Sequence, residues 1–278
     1  MESMGVNKKN KIKIILVTGG TGFIGSHLVK KLLQKKYSVV VPYIKIEDKS
    51  LFATDPIFRQ VILEKLNINN KRKVLSIIKK YKIDFIFHLA AETIVQEGYK
   101  NPYKTLQTNI LGTINLLEAV RLEKKITGII FASSDKAYGK TNAAYTEESS
   151  LKGDHPYDVS KSSADLIAQT FIKTYNTPVI ITRFANVYGP GDLHIDRIIP
   201  GICEALVKNK KLKIRSNGLY KRDYIYVEDV VDGYLFLLKK FNTLKGQAYN
   251  FSSKENLSVL DLIKKIEKIS NKKIEYKI

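Results

Sequence analysis

The feature that most constrains this chain is the glycine turn Thr18-Gly19-Gly20-Thr21-Gly22-Phe23-Ile24-Gly25. It follows an apolar run at residues 12–17, interrupted only by Lys13, the pattern of a strand covered on both faces. It opens a segment of helical spacing that reaches residue 36. Gly19 and Gly20 can take the tight turn, and Gly25 lets helix and strand pack closely. Gly22 lets a backbone approach a pyrophosphate, which free N–H groups and the dipole of the helix N-terminus favour. The turn therefore predicts a dinucleotide site lined by Gly19, Thr21, Gly22, Phe23, Ile24 and Gly25.

Apolar strand-like runs and amphipathic segments alternate after this turn. Strands are expected at 37–43, 61–66, 85–89, 128–133 and 178–183, and helices at 71–82, 102–124 and 157–175. Such alternation predicts an α/β fold, a Rossmann-type doubly wound parallel sheet with right-handed crossovers. After Arg183 the texture changes: glycine, proline and tyrosine become frequent, as in Tyr188-Gly189-Pro190-Gly191. Residues 1–183 are read as the dinucleotide-binding domain and 184–278 as a small, partly interleaved substrate lobe. Residues 212–215 and 248–251 are expected to be strands of a separate patch within it.

The second strand lacks the carboxylate that ordinarily meets the ribose hydroxyls of NAD. Lys45 at its end either meets a 2′-phosphate, which favours NADP, or is simply exposed. The formal charge of +20 raises a nucleic-acid reading. Its lysines, however, are scattered along the chain as a solvated surface, and no nucleic acid is expected. Such a positive field would speed encounter with a diphosphate. Cys203 is the single cysteine, so an internal disulfide and a cysteine metal site are excluded. No run is long enough to span a membrane, and residues 1–13 have no apolar signal region. A cytoplasmic chain is expected.

Tyr157 and Lys161 are four residues apart, so they share one helix face. An ammonium near the phenol would lower its pKa and make it usable as a base. Ser133-Ser134 follow a strand, at the sheet's carboxyl edge where ligands bind.

The chain resembles the extended short-chain dehydrogenase/reductases, the NAD-dependent epimerase/dehydratase family acting on nucleotide sugars. The resemblance rests on residues 18–25, His88-Leu89-Ala90-Ala91, Thr108-Asn109-Ile110-Leu111-Gly112-Thr113, Ser133–Gly139, Tyr157–Lys161, Arg183–Gly189 and Arg222-Asp223-Tyr224, in the family's order. It implies that Tyr157 takes the 4-hydroxyl proton while hydride leaves C4 for the nicotinamide. Lys161 would hold the cofactor ribose, and Ser134 would hydrogen-bond the 4-oxygen. Leu89, Ala90, Ala91 and Thr108 would line the cofactor, with Asn67 and Ile68 near the adenine. Glu92, Asn186, Arg197 and Arg222 would serve the substrate, Arg222 clamping the diphosphate. A helix-surface ion pair is the alternative for Arg197.

Ser134-Asp135-Lys136 is similar to the doublet of CDP-glucose and UDP-N-acetylglucosamine 4,6-dehydratases, whereas the thymidine-sugar dehydratases carry Asp-Glu. A 4,6-dehydratase needs an acid for the departing 6-hydroxyl and a base for the C5 proton. Asp135 and Lys136 are assigned those roles. The reading is thus a nucleotide-sugar 4,6-dehydratase; a 4-epimerase, a decarboxylase or a non-catalytic NAD(P)-binding scaffold are the alternatives. The resemblance implies a homodimer, no metal, and a family that ordinarily continues beyond Ile278, so the lobe is expected to be truncated.

Overall fold

A computed structural model describes residues 13–140, 144–253 and 255–278. The reading of a leaderless start rests mostly on residues 1–12, which lie outside these. Among the described residues no helix is long and apolar enough to cross a membrane.

Seven parallel strands form the central sheet. They are β1 (Ile14–Thr18), β2 (Ser38–Tyr43), β3 (Ile62–Lys65), β4 (Phe85–His88), β5 (Gly128–Ala132), β6 (Val179–Phe184) and a later edge strand. β4, β5 and β6 are largely apolar because helices cover both sheet faces, and almost every residue in them is buried, His88, Thr182 and Arg183 included. The chain after β6 adds β7 (Asn186–Tyr188), β8 (Leu212–Lys213), β9 (Lys221–Tyr226), β10 (Ala248–Phe251), β11 (Asn256–Ser258) and β12 (Tyr276–Lys277). The sheet order is β10-β6-β5-β4-β1-β2-β3. Strand order reverses between β1 and β4, so the crevice at their carboxyl ends is where a ligand is expected.

Two expectations are corrected. Residues 248–251 do not belong to a separate patch: Ala248 pairs with Ile181 and Phe251 with Phe184, which makes β10 the edge strand of the main sheet. The helix Val227–Lys239 follows the same course, burying Val230, Val231, Tyr234 and Leu237 in the core cluster of β1, β2 and β4. The lobe proper is the three-stranded β11-β9-β7 sheet, the β12-β8 pair and a small core around Ile202, Leu212 and Ile263. The second correction concerns residues 102–124. Helix Pro102–Leu106 passes through a wide π-type turn, Gln107–Leu111, into helix Gly112–Leu122. Such turns inside helices often mark functional sites. The side chain that this one presents is Asn109.

Candidate active site

A cavity of about 750 Å³ opens over the carboxyl ends of β1, β4 and β5 and runs into the lobe. At its cofactor end the glycines are needed as glycines. Gly19 has φ of +73°, and a Cβ there would stand 2.7 Å from Ala90 N. A Cβ on Gly25 would stand 2.1 Å from Gly19 O, whereas one on Gly22 would meet only Gly19 O at 3.3 Å. Gly22 thus leaves open space over the turn. The helix Phe23–Gln34 has no side chain capping its N-terminus, so its first N–H groups face the cavity without a local acceptor. This cradle fits a pyrophosphate.

Gly19, Thr21, Gly22, Phe23, Ile24, Gly25, Ile68, Leu89, Ala90, Ala91 and Thr108 all line the cavity. Asn67 does not; its Oδ1 instead accepts from the backbone N–H of Asn69 at 3.0 Å, closing a local turn. Lys45 lines the rim, but its ammonium is 3.0 Å from Glu47, whose hydrogen bond raises the lysine pKa. That charge is partnered within its own loop.

The chemistry-bearing groups gather where β5 ends. Ser134 caps the single turn Asp135–Tyr138, accepting from Lys136 N–H at 3.2 Å and donating to Asp135 Oδ1 at 3.1 Å. Lys136 Nζ donates to Asp135 Oδ2 at 2.7 Å. Behind this turn, Arg183 forks onto both oxygens of Asp165 at 2.8 Å and donates to the Tyr138 hydroxyl at 2.6 Å. Tyr138 donates in turn to Asn250 of β10 at 2.7 Å. Two strands and a helix therefore fix the Ser134–Tyr138 turn.

Helix Pro156–Tyr175 supplies Tyr157 and Lys161. Burial pushes the Tyr157 phenol up to about 12; a hydrogen bond with Ser134 and the charge of Arg197 pull it back, while Asp135 adds to the rise. The lowering by Lys161 expected from the four-residue spacing is not among these influences. Lys161 Nζ instead donates to Ala132 O at 2.8 Å, and burial lowers its pKa to about 8. The two side chains do share the cavity wall.

Sequence reasoning passed over the polar frame behind these residues. Ala90 N–H donates to Thr18 Oγ1, which lies 2.8 Å from His88 Nδ1. His88 Nε2 is 3.0 Å from Thr113 Oγ1, which itself donates to Asn109 O at 2.6 Å. Thr113 having spent its proton, His88 must be the Nε2–H tautomer, and burial with nearby Lys161 lowers its pKa to about 3. Asn109 accepts from Glu92 N–H at 2.8 Å and donates to Glu92 O at 3.0 Å and to Ser160 Oγ at 2.8 Å. Ser160 then donates to Tyr157 O at 2.6 Å. The turn at Asn109 thus ties the cavity loop to the helix of Tyr157. Its signal was a polar residue at a helical position otherwise read as a face pattern.

On the lobe side, Glu92, Asn186, Arg197 and Arg222 line the cavity. Asn186 donates to Asp223 O at 3.0 Å, and Arg222 donates to the backbone of Lys221. Arg197 is held by both oxygens of Asp192 at 3.0–3.1 Å and reaches Thr93 at 3.3 Å. It is an ion pair inside the cavity rather than on a helix surface.

Residues 15–252 match the NAD dependent epimerase/dehydratase family. The chain belongs to that family. It is 35% identical over 95% of its length to the dTDP-D-glucose 4,6-dehydratase of Dictyostelium discoideum, and spans 64% of that protein. It is 33% identical over 91% of its length to the dTDP-glucose 4,6-dehydratase of Haemophilus influenzae, spanning 78% of it. Among solved structures, the dTDP-glucose 4,6-dehydratase of Bacillus anthracis in complex with NAD superposes with a TM-score of 0.84. It shares 31% identity and covers 95% of this chain and 84% of its own. The UDP-glucose 4-epimerase of Thermotoga maritima with UDP-glucose gives 0.85 at 29% identity, covering 95% and 85%. Family membership and the Rossmann-type fold agree with the sequence reading.

Proposed function

We propose that this chain is a nucleotide-sugar 4,6-dehydratase that keeps NAD bound through its cycle and converts a nucleoside-diphosphate hexose to the 4-keto-6-deoxy sugar. The observation that carries this reading is the Asp135–Lys136 pair, 2.7 Å apart, in one cavity with Ser134 and Tyr157. The relatives named as dTDP-glucose 4,6-dehydratases support it. The chemistry NAD supplies when bound is reversible hydride acceptance, from C4 at the outset and back to C6 at the end.

The protein's groups divide the remaining work. Tyr157 Oη takes the sugar 4-hydroxyl proton, with Ser134 Oγ hydrogen-bonded to the same oxygen. Lys161, aimed by Ala132 O, holds the cofactor ribose and, once a ligand fills the cavity, favours the phenolate that a pKa near 12 otherwise resists. Once C4 is a ketone the C5 proton is acidic. At rest Asp135 and Lys136 form an ion pair, the wrong protonation for acid and base. A proton shift along their hydrogen bond leaves an amine and a carboxylic acid. Lys136 Nζ then takes the C5 proton, and Asp135 gives its proton to the 6-hydroxyl, which departs as water. The elimination restores the ion pair; Lys136 gives a proton back to C5 as C6 is reduced, and the proton held by Tyr157 replaces it, so the protons balance over the cycle. Arg222 clamps the diphosphate, suited by its bidentate fork, and Arg197 stands at the nucleotide base. Glu92 and Asn186 line the substrate side of the cavity.

Asn67 is left out of the adenine contact, and Lys45, paired with Glu47, is no support for NADP. We also place the enzyme in the cytoplasm as a homodimer. Tyr103, Leu111, Val159 and Leu166 support the dimer, being exposed apolar side chains on the helical segments 102–124 and 157–175, through which the resemblance implies pairing.

Mass spectrometry of reactions with CDP-, UDP-, GDP- and dTDP-linked hexoses tests this. A product lighter by one water is expected from the wild type, none from Tyr157→Phe, and at most a trace from Asp135→Asn. Product at unchanged mass but altered retention would make the chain an epimerase. Full dehydration by Asp135→Asn would remove the carboxylate from the mechanism.

A further inference from the structure

Just before Tyr157, the side chains of Asp154, His155 and Asp158 converge outside the reaction described above. Each offers one ligand atom, and the three atoms lie within 4.8 Å of one another. Two of these residues carry polar atoms that the fold shuts away without a partner. Asp158 is 4% exposed, and its Oδ1 has no hydrogen-bond partner; neither does the buried Nδ1 of His155. A buried carboxylate oxygen with no donor is costly unless a cation or proton meets it.

The backbone beneath the cluster is fixed. Lys152 N–H donates to Ala137 O at 3.0 Å, and Gly153 N–H to Ser162 Oγ at 3.0 Å. A Cβ on Gly153 would stand 2.3 Å from the Asp158 carbonyl carbon, so the loop is seated directly on the first turn of the helix. The remaining contacts are weak competitors. Asp154 pairs with Lys140 at 2.9 Å, but the lysine side chain is 84% exposed. His155 Nε2 lies 3.0 Å from Asp158 Oδ2, and Tyr99 packs against the ring at 5.6 Å.

From this we propose that Asp154, His155 and Asp158 form a binding site for a divalent transition cation of the Zn²⁺ type. One imidazole and two carboxylates on a preset backbone are ligands suited to such an ion. Ligand atoms of a tetrahedral site with bonds of about 2.0–2.1 Å stand about 3.3 Å apart, so the cluster, within 4.8 Å, would close by up to about 1.5 Å on binding. Binding breaks the His155–Asp158 contact and displaces Lys140 into solvent. The cation then clamps the turn that precedes Tyr157, making it a structural fastener for the helix and no participant in proton transfer.

The test is calorimetric titration of the full-length, chelator-stripped protein with ZnCl₂, with NAD binding measured alongside as a report of the fold. One Zn²⁺ per chain is expected. Affinity should fall by about tenfold or more in Asp158→Asn and His155→Gln, and stay unchanged in His194→Gln, which lies outside the cluster. Asp154→Asn is the safeguard should Asp158→Asn fail to fold, since Asp154 is exposed and its loss leaves the core intact. Absence of saturable binding, or unaltered affinity in the variants that still bind NAD, overturns the proposal.

Discussion

The role proposed for Lys161 sets function against stability, and the structure gives the size of the conflict. Its side chain is 5% exposed, and burial lowers its pKa from the ordinary 10.5 to about 8. At about 1.36 kcal/mol per pH unit, holding that ammonium in the fold costs roughly 3 kcal/mol near neutrality. Lys161→Met keeps the length of the stem and removes the charge, at the loss of the hydrogen bond to Ala132 O, worth about 1 kcal/mol. The variant should therefore be about 2 kcal/mol more stable near pH 7 while losing turnover, a trade expected at a catalytic site. Titration supplies a second signature. Between about pH 8 and 10.5 the unfolded chain still binds the lysine proton and the folded one does not, so wild-type stability rises with pH. Near pH 9.5 the variant's advantage should have shrunk almost to zero. Urea unfolding of NAD-free protein near pH 7 and near pH 9.5 reads both effects, free of stabilisation by ligand. A Lys161→Met protein no more stable than wild type near pH 7, or one whose margin does not move with pH, would refute the argument that burial dominates this residue.

Two further substitutions probe the frame. In Gly25→Ala the new methyl meets Gly19 O at 2.1 Å, so the turn must shift; NAD binding should weaken by more than tenfold, about 1.4 kcal/mol, in a fluorescence titration. Arg183→Met strands the Asp165 carboxylate, whose side chain is fully buried, and should cost about 3–5 kcal/mol by denaturant unfolding. The double variant Arg183→Met/Asp165→Leu should recover most of that loss; if it stays as unstable as the single one, the pair is not what holds the Ser134–Tyr138 turn.

What the sequence disclosed and what it hid divide along the range of the forces involved. The glycine turn was legible because its demands are local: a positive φ at Gly19 and a missing Cβ at Gly25 are requirements of residues near one another in the chain. The parallel sheet was legible too, since burial on both faces leaves unbroken apolar runs such as residues 85–87. Ala248–Phe251 was assigned to the lobe because nothing in four half-apolar residues says which strand they will pair with. Their partner, β6, lies some sixty residues earlier, and the choice belongs to the whole fold. The site divides in the same way. Four-residue spacing correctly puts Tyr157 and Lys161 on one wall, but spacing fixes a face and not an aim. Which carbonyl the ammonium finds, Ala132 O at the end of β5, depends on how that helix lies across the sheet. Asn109 shows the limit most sharply. Read along the chain it is a polar interruption in a helix of residues 102–124. Folded, it satisfies Glu92 and Ser160 together and opens the helix into a π-type turn to reach them. Such a residue breaks its local pattern because its partners are distant, and a local misfit of this kind is the sequence signature to look for when a catalytic frame is sought.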